Sequence, residues 1–269
     1  MTKNKIEIIY QDNEILVINK PAGLSVTKDR SGEKQVLDLL TDQLGPQAVS
    51  EIRLSHRLDK QTSGVMILAK TPEFQSMLSS MFEKNLITKT YLVLVTGFVP
   101  AKGFGQINAR IIKDRNNPGQ MTLTRKKGND AKTTWRQLAD FESYSLIEAK
   151  MVTNRTHQLR LHLPSAGMPL AIDPTYGKDD PIYLSEFKKK VYNLGKHQEE
   201  KPIIDRLTLH AYQIEFNQPL EGKPQSFVAG LDKSFKTTIK MLTKHNRNGL
   251  NAFKNQADYE KIINSELLD

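Results

Sequence analysis

The 269-residue sequence has no cysteine, and it also has no long apolar run. The absence of cysteine excludes disulfide bonds, thiolate zinc sites and a cysteine nucleophile. No apolar run approaches the roughly 18 residues that a transmembrane helix needs, so we expect no membrane partner. The first residues also lack the basic, apolar and small-residue segments of a secretory signal. These absences predict a cytoplasmic protein, although a chain without cysteine suits any compartment.

Common sequence motifs for metal, nucleotide and hydrolytic chemistry are missing as well. The chain has no His-Glu-x-x-His pair, no Walker loop and no Gly-x-Ser-x-Gly elbow. Its six histidines show no spacing that would assemble a metal site with nearby carboxylates. We therefore predict an activity that uses no cofactor and no metal.

Positive charge is in excess and is clustered in two parts of the sequence. Lysine and arginine number 39 against 30 acidic residues, which gives a formal net charge of +9. One cluster has eight basic residues between positions 109 and 136, and a second repeats lysine every three or four residues from Lys233 to Lys244. Two separate basic surfaces are typical of a protein that binds an extended polyanion. On charge alone, the candidates for phosphate contacts are Lys20, Arg110, Lys126 and the lysines that follow Lys233.

Hydrophobic periodicity predicts one α+β unit with buried strands. Continuous apolar runs at 65–69 and 91–95 are typical of strands inside a sheet, and further strands are predicted at 6–9, 15–18, 133–138, 146–152 and 207–216. Thr71 and Pro72 are typical of a helix start, and Phe74, Leu78 and Phe82 form an apolar stripe after them. Residues 36–44 also have helical spacing. The polar segment 178–201, with Lys188–Lys190 inside it, is predicted to leave the core. We divide the chain into a main domain of the size of a catalytic domain, 1–230, and a basic helical extension, 231–269.

Three polar segments beside predicted strands could carry chemistry. The first, residues 55–64, places Asp59 on a loop anchored by a strand, although most loop carboxylates only pair within their own loop. The second, residues 153–163, fits either a strand or a helix capped by Thr156, and periodicity does not decide between them. Leucines flank Arg160 there, so its guanidinium is predicted to be partly buried and to need an anion. The third is Tyr91 at the head of a strand.

The order of five motifs resembles the RluA-like RNA pseudouridine synthases. His56-Arg57-Leu58-Asp59 followed by Thr62-Ser63-Gly64 resembles the family's signature loop. Four further elements resemble the family in the same order, over about residues 10 to 220: Asn13 to Gly23, Lys89-Thr90-Tyr91 with Val95-Thr96-Gly97, Arg155-Thr156-His157-Gln158-Leu159-Arg160, and Arg206 to Ala211. Five ordered elements are far more specific than any one of them.

The resemblance implies a fold and an activity. The fold is α+β, with a central mixed, mostly antiparallel sheet flanked by helices, and an active-site cleft across the sheet. The activity is the isomerisation of uridine to pseudouridine in ribosomal or transfer RNA by a single chain. The enzyme detaches uracil from its ribose, rotates it and rejoins it through carbon 5. An alternative is a catalytically inactive RNA-binding or ribosome-assembly protein on the same scaffold.

The resemblance also implies roles for individual residues. Asp59 is the catalytic carboxylate, either adding covalently or abstracting a sugar proton, and Arg160 is the guanidinium that favours its charged form. Tyr91 lies against the uracil ring and takes the carbon 5 proton at the end, helped by a desolvated site. Arg57 fills the space left by the flipped nucleotide. The other predicted substrate contacts are Leu58 and Leu209 as apolar walls, together with His56, Thr62, Arg155, His157 and Gln158.

Two positions depart from the family's pattern. Asn154 stands where glycine is common, and asparagine is the side chain that best tolerates a positive φ. Ile172 also stands where glycine is common, just before Asp173-Pro174-x-Tyr176-Gly177, and isoleucine does not tolerate it. We expect an altered loop there without an effect on the core chemistry. The small N-terminal RNA-binding module of many relatives is expected to be absent.

Overall fold

The strands of the protein form one eleven-stranded sheet. The computed structural model describes residues 5–27, 32–188, 199–220 and 222–268. The strands are β1 (Glu7–Gln11), β2 (Ile15–Lys20), β3 (Arg53–Leu54), β4 (Ser63–Ala69), β5 (Thr88–Val95), β6 (Phe104–Lys113), β7 (Met121–Thr124), β8 (Asn129–Asp140), β9 (Ser145–Met151), β10 (Leu209–Asn217) and β11 (Pro224–Val228). Their order in the sheet is β1-β2-β4-β10-β5-β9-β8-β6-β7, with β11 beside β10 and β3 beside β4. The β4–β10 pair is parallel and the other pairs are antiparallel.

Helices flank this sheet, and the one following β4 has the predicted start. Thr71 Oγ1 accepts a hydrogen bond from the Phe74 backbone at 3.1 Å, and Pro72 occupies the first turn, where its missing N–H costs nothing. Phe74, Leu78 and Phe82 are buried, so the predicted stripe is confirmed. The helices are α1 (Val36–Leu44), α2 (Pro46–Ser50), α3 (Pro72–Glu83), α4 (Gln158–Ser165), α5 (Lys233–His245) and α6 (Gln256–Asn264), with 3₁₀ turns at Leu184–Glu186 and Gly249–Ala252.

Alternate residues of the central strands build two separate cores. Tyr91 and Val93 of β5 belong to one core, whereas Leu92 and Leu94 belong to the other. Buried side chains of α5 and α6 complete the second core, among them Phe235, Ile239, Leu242 and Ile262. The C-terminal helices therefore cover the sheet face opposite Tyr91. The lysines of α5 lie on that far side, so they are not phosphate contacts of the Tyr91 face.

The parallel β4–β10 pair brings two backbones unusually close behind the Asp59 loop. Gly64 has a φ of 116°, and a Cβ atom on it would overlap the backbone oxygen of Ala211. A glycine is required at this point because any side chain would push the two strands apart. The Thr62-Ser63-Gly64 sequence therefore fixes how β4 follows the loop.

A buried serine–histidine pair also joins these two strands. Ser63 Oγ lies 2.8 Å from His210 Nδ1, and His210 Nε2 lies 2.9 Å from the Ala229 oxygen. Since only Nε2–H can donate to a carbonyl oxygen, the neutral ring accepts from Ser63 at Nδ1. Desolvation lowers the pKa of His210 to about 4.

We expect the protein to lose stability as the pH falls from about 6.5 to about 4. In that range the unfolded chain protonates a histidine that the folded chain keeps neutral, so stability rises with pH. For His210 the loss is about 3 kcal/mol at pH 4. Urea unfolding at pH 7, 5.5 and 4.5 measures it. His210→Asn is expected to reduce this decline, whereas the control His245→Asn at the end of α5 leaves it in place. An equally steep decline in His210→Asn would contradict the assignment.

The segment predicted to leave the core does so only in part. Ile182 is buried in the second core, and its backbone pairs with Ile204. The segment is therefore anchored to the fold near its start, which the polar composition did not indicate. Lys189 and Lys190 lie outside the described residues. Among the described residues, no helix is both long and apolar enough to cross a membrane.

Candidate active site

A cavity of about 460 Å³ opens on the Tyr91 face of the sheet. Its lining comes from the loop between β3 and β4, the end of α3 and the residues just after it, the start of β5, and the loop that leads into α4 together with the first turn of that helix. Single residues of β9 and β10 complete it. The structure brings all three predicted catalytic residues into it. The lining also includes every predicted substrate contact: His56, Arg57, Leu58, Thr62, Arg155, His157, Gln158 and Leu209.

Asp59 presents its carboxylate to this cavity from a tight turn. The Thr62 backbone N–H donates to the Asp59 carbonyl oxygen at 3.0 Å, which fixes the turn directly before β4. The side chain is 24% exposed, and its Oδ2 lies 3.6 Å from both Arg160 Nη1 and His157 Nε2. These distances exceed hydrogen-bond length, so the Arg160 guanidinium and the His157 ring lie beside the carboxylate without occupying its oxygens. The carboxylate oxygens are therefore open to a ligand.

Arg160 is held by an acid that the sequence prediction did not include among the site residues. Its Nε and Nη2 donate to the two carboxylate oxygens of Asp173 at 2.9 and 2.6 Å, and both side chains are buried. Desolvation alone would lower the pKa of Arg160, but the hydrogen bonds and charge of Asp173 raise it overall. The expected pairing of Arg160 with Asp59 is present at longer range, because Asp173 leaves only Nη1 free to face Asp59.

A chain of hydrogen bonds orients His157 toward Asp59. The Met121 backbone N–H donates to the Tyr176 hydroxyl at 2.8 Å, and that hydroxyl lies 2.6 Å from His157 Nδ1. Because the oxygen accepts from Met121, its own proton is available for Nδ1. Desolvation lowers the pKa of His157 despite the opposing effect of Asp59, so the ring is neutral and carries its proton on Nε2, which faces Asp59. His157 also adopts a left-handed conformation, with a φ of 56°.

Replacing Tyr176 by phenylalanine should destabilise the fold and weaken the site together. The Met121 N–H would lose its acceptor and His157 its donor, so we expect a loss of about 1–2 kcal/mol in unfolding free energy. We also expect the rate of the reaction that depends on Asp59 to fall several-fold, because His157 would be free to turn away from Asp59. Urea unfolding and single-turnover kinetics measure the two effects. Tyr10→Phe, which removes an exposed hydroxyl at the surface, is the control. Wild-type values for both in Tyr176→Phe would show that the chain of bonds has no role.

Tyr91 lies on β5 with its ring buried at the cavity floor. Desolvation raises its pKa well above the ordinary value, and the charge of Asp59 raises it further. The expectation that desolvation assists proton removal by Tyr91 therefore has the wrong sign, because burial disfavours the phenolate. The side chain stays a neutral phenol that can pack against a base, and it can take a proton only by passing its own to a neighbour.

Lys20 is not a phosphate contact, because the fold buries it completely. Its Nζ donates to the backbone oxygens of Pro21, Leu24 and Lys60 at 2.9, 2.9 and 3.1 Å. Desolvation lowers its pKa to about 7. Through the Lys60 oxygen this lysine instead ties β2 to the Asp59 loop. Sequence charge did not reveal this role, since burial depends on contacts between distant segments.

Gln158 also has a structural role in place of the predicted substrate contact. Its Oε1 accepts from Thr153 and the Arg155 backbone, while Nε2 donates to the Lys132 oxygen and Thr133. These four bonds use the full capacity of the amide, so none remains for a ligand. They fix the loop that carries Arg155 into the cavity.

Three local expectations for the loops around α4 are wrong. The helix is capped by His157 in the left-handed region and not by Thr156. Asn154 does not have a positive φ, so it does not replace glycine in that respect. Ile172 lies in the second core and bonds to Thr208 through its backbone, again without a positive φ. The segment before Asp173 is therefore an ordinary packed strand-like connection.

The remaining predicted phosphate contacts lie outside the cavity. Arg110 is exposed on β6 and pairs with Asp130 at 2.7 Å, while Lys126 follows β7 at the end of the same ribbon. Arg57 and Arg155 are exposed at the cavity, and Arg155 Nε donates to the backbone carbonyl oxygen of Asp130 at 3.1 Å. A line of cations thus extends from the cavity along the β6–β8 ribbon.

Comparison with known proteins agrees with these features. The sequence profile described as RNA pseudouridylate synthase matches residues 14–165. A ribosomal large subunit pseudouridine synthase D of Neisseria meningitidis serogroup B is 34% identical over 226 residues, covering 83% of this chain and 58% of that protein. A protein of the same name from Zymomonas mobilis is 30% identical over 250 residues, covering 90% of this chain and 74% of that protein. The chain thus spans little more than half the length of the Neisseria relative.

A solved structure shows the same fold. The human RNA Pseudouridylate Synthase Domain Containing 4 protein superposes with a TM-score of 0.67 at 26% identity, covering 88% of this chain and 92% of that one. The α+β fold with a mixed, mostly antiparallel sheet is therefore confirmed. With the profile spanning more than half of the sequence, the chain belongs to the RNA pseudouridylate synthase family, as its five ordered motifs indicate.

Proposed function

We propose that this protein isomerises specific uridines in ribosomal or transfer RNA to pseudouridine. The observation that supports this most directly is the Asp59 carboxylate, which faces Arg160 and Tyr91 inside a cavity yet has open oxygens. The names of the relatives favour ribosomal RNA over transfer RNA. A monomer working in the cytoplasm is part of the same proposal.

The reaction needs a base that has left its stack. A cavity of about 460 Å³ is within the range that holds a small ligand, and duplex RNA cannot deliver an internal base to its floor. Arg57 is exposed at the rim, where a planar cation can stack in the space that the nucleotide leaves. Leu58 and Leu209 would cover the apolar edges of the uracil ring.

Asp59 would start the reaction in one of two ways. It adds to the ribose C1′ as the C1′–N1 bond breaks, or it removes a ribose proton so that uracil leaves by elimination. Uracil then turns, and its C5 bonds to C1′ as the Asp59–C1′ bond breaks or, on the elimination route, as Asp59 returns its proton to the ribose. The proton on C5 is then lost while N1 regains one. Atoms and charge balance without a co-reactant. Arg160 and the Nε2–H of His157 would offset the negative charge of Asp59 while it is a carboxylate.

The cations along the β6–β8 ribbon would bind the RNA outside the cavity. Lys126 and its neighbours at the β7–β8 turn are exposed. Each phosphate contact adds sequence-independent affinity that falls with salt concentration. We therefore assign the ribbon to RNA affinity, including Arg110 and Lys126, and the cavity to the reaction.

Mapping pseudouridine in cells with and without the gene tests this function. Carbodiimide labelling followed by reverse transcription should lose one or a few stops in ribosomal or transfer RNA when the gene is deleted, and wild-type protein should restore them. Restoration by an Asp59→Asn protein would instead support the inactive RNA-binding alternative. No uridine changing in either RNA class would overturn the proposal. Ile172, one of the two departures from the family's pattern, is a buried core residue and gives the inactive alternative no support.

A further inference from the structure

Lys89 is a buried cation in the cavity that the proposed reaction does not use. It lies on β5 two residues before Tyr91, so both side chains face the same side of the sheet, about 7 Å apart along the strand. Only 4% of Lys89 is exposed, and it lines the cavity. Its Nζ lies 5.6 Å from the centre of the Phe82 ring and 6.0 Å from that of Tyr91.

The charge of Lys89 has no anionic partner in the part of the chain that the structure describes. Its Nζ donates to the neutral Asn154 Oδ1 at 2.5 Å, and it makes no ion pair with any described residue. Of the two carboxylates that line the cavity, Asp59 acts on it only at longer range and Glu83 is exposed. Desolvation lowers the pKa of Lys89 to about 8, which leaves it mostly charged at pH 7. A buried ammonium is costly unless an anion completes its surroundings.

Two more polar groups that line the same cavity, on Ser55 and His56, are without a partner among the described residues. The His56 ring packs against the Phe82 ring, with the two centroids 4.3 Å apart. Its Nε2 accepts a hydrogen bond from the Ile67 backbone N–H. Desolvation lowers the pKa of His56 to about 3, so the ring is neutral with its proton on Nδ1. That Nδ1 and the hydroxyl of Ser55 have no hydrogen-bond partner among the described residues.

Resting on the proposed function, we propose that Lys89 forms a phosphate subsite next to Tyr91. Its ammonium binds a non-bridging oxygen of a backbone phosphate that adjoins the flipped uridine, and Asn154 holds the ammonium in place. A phosphate fits better than a uracil carbonyl because it supplies the missing negative charge. The same contact sets how deep the base reaches along β5 before it meets Tyr91.

Binding of mononucleotides tests this subsite without relying on catalysis. The probes are uridine, uridine 3′-monophosphate and uridine 5′-monophosphate, titrated by NMR into wild-type protein. One monophosphate should bind about tenfold tighter than uridine, as expected for one charge-assisted contact. Lys89→Met should remove that advantage, whereas Lys84→Met, at an exposed lysine just after α3, should keep it. Equal binding of all three probes, or an advantage that survives in Lys89→Met, overturns the subsite.

Kinetics on the RNA substrate separate binding from chemistry. Lys89→Met should raise KM about tenfold with little change in kcat, because the contact is present before and during the reaction. A fall in kcat with an altered pH profile would place Lys89 at the reacting atoms and overturn the phosphate assignment. The variant should fold, since losing an unpaired buried cation is not destabilising, and its thermal midpoint checks this. If the wild-type protein modifies no RNA, the proposed function is wrong. The mononucleotide titration still shows whether Lys89 binds a phosphate.

Discussion

Asp59→Asn should reduce pseudouridine formation by at least about a thousandfold and leave the fold unchanged. An amide neither adds to the ribose nor removes its proton, and no other carboxylate faces Arg160 from within the cavity, since Asp173 is fully engaged by hydrogen bonds. The fold should tolerate the change because the Asp59 side chain makes no hydrogen bond to the described residues. It only approaches Arg160 and His157 to 3.6 Å. The stability change should stay below about 1 kcal/mol.

Single-turnover assays on the mapped RNA site, together with urea unfolding, measure both effects. Asp179→Asn, an exposed carboxylate beyond the cavity lining, is the matched control and should behave as wild type in both assays. A residual rate within tenfold of the wild-type rate would show that Asp59 is not the catalytic carboxylate. If the rate loss is accompanied by unfolding, the role of Asp59 is tested instead with Asp59→Glu. That variant keeps the charge but displaces it by one methylene.

Strong local patterns explain why much of the fold was predictable. The α3 helix combines a threonine cap, a proline in the first turn and a regular apolar stripe, and the structure forms it as predicted. The runs at 65–69 and 91–95 are apolar throughout because β4 and β5 are covered on both faces. The segment around Arg160 could not be resolved in the same way. Its leucines suit both periods, and the helix there begins at a residue with a positive φ.

The parts of the site that sequence reasoning missed depend on contacts between distant segments. Lys20 counts as one more positive charge in the sequence, but three backbone oxygens from two loops surround its ammonium. Asp173 lies thirteen residues after Arg160 in the sequence, and no local pattern links the two residues, because their pairing depends on how the chain after α4 folds back. Lys89 belongs to the Lys89-Thr90-Tyr91 motif, yet its burial beside Phe82 depends on how α3 packs near β5.

Arg160→Met should produce the largest loss of stability together with the loss of activity. The substitution leaves the Asp173 carboxylate buried without its cation, and removing one partner of a buried pair costs about 3–5 kcal/mol. Asp173 keeps hydrogen bonds from the Thr175 and Tyr176 backbones, which cannot replace a full charge. Arg247→Met, which breaks an exposed pair with Glu142, is the control and should cost less than about 1 kcal/mol. A comparable cost for both arginines would show that the Arg160 pair is not effectively buried.

The double variant Arg160→Met with Asp173→Asn separates the structural role of Arg160 from its catalytic role. A neutral asparagine still accepts from the two backbone N–H groups, and no charge is left unpaired in the interior. Most of the lost unfolding free energy should therefore return, to within about 2 kcal/mol of wild type. Activity should not return, because Asp59 then faces the cavity without its guanidinium and only the neutral His157 remains beside it. Recovery of both properties would mean that Arg160 only maintains the fold, and recovery of neither would mean that the Asp173 loop itself collapses.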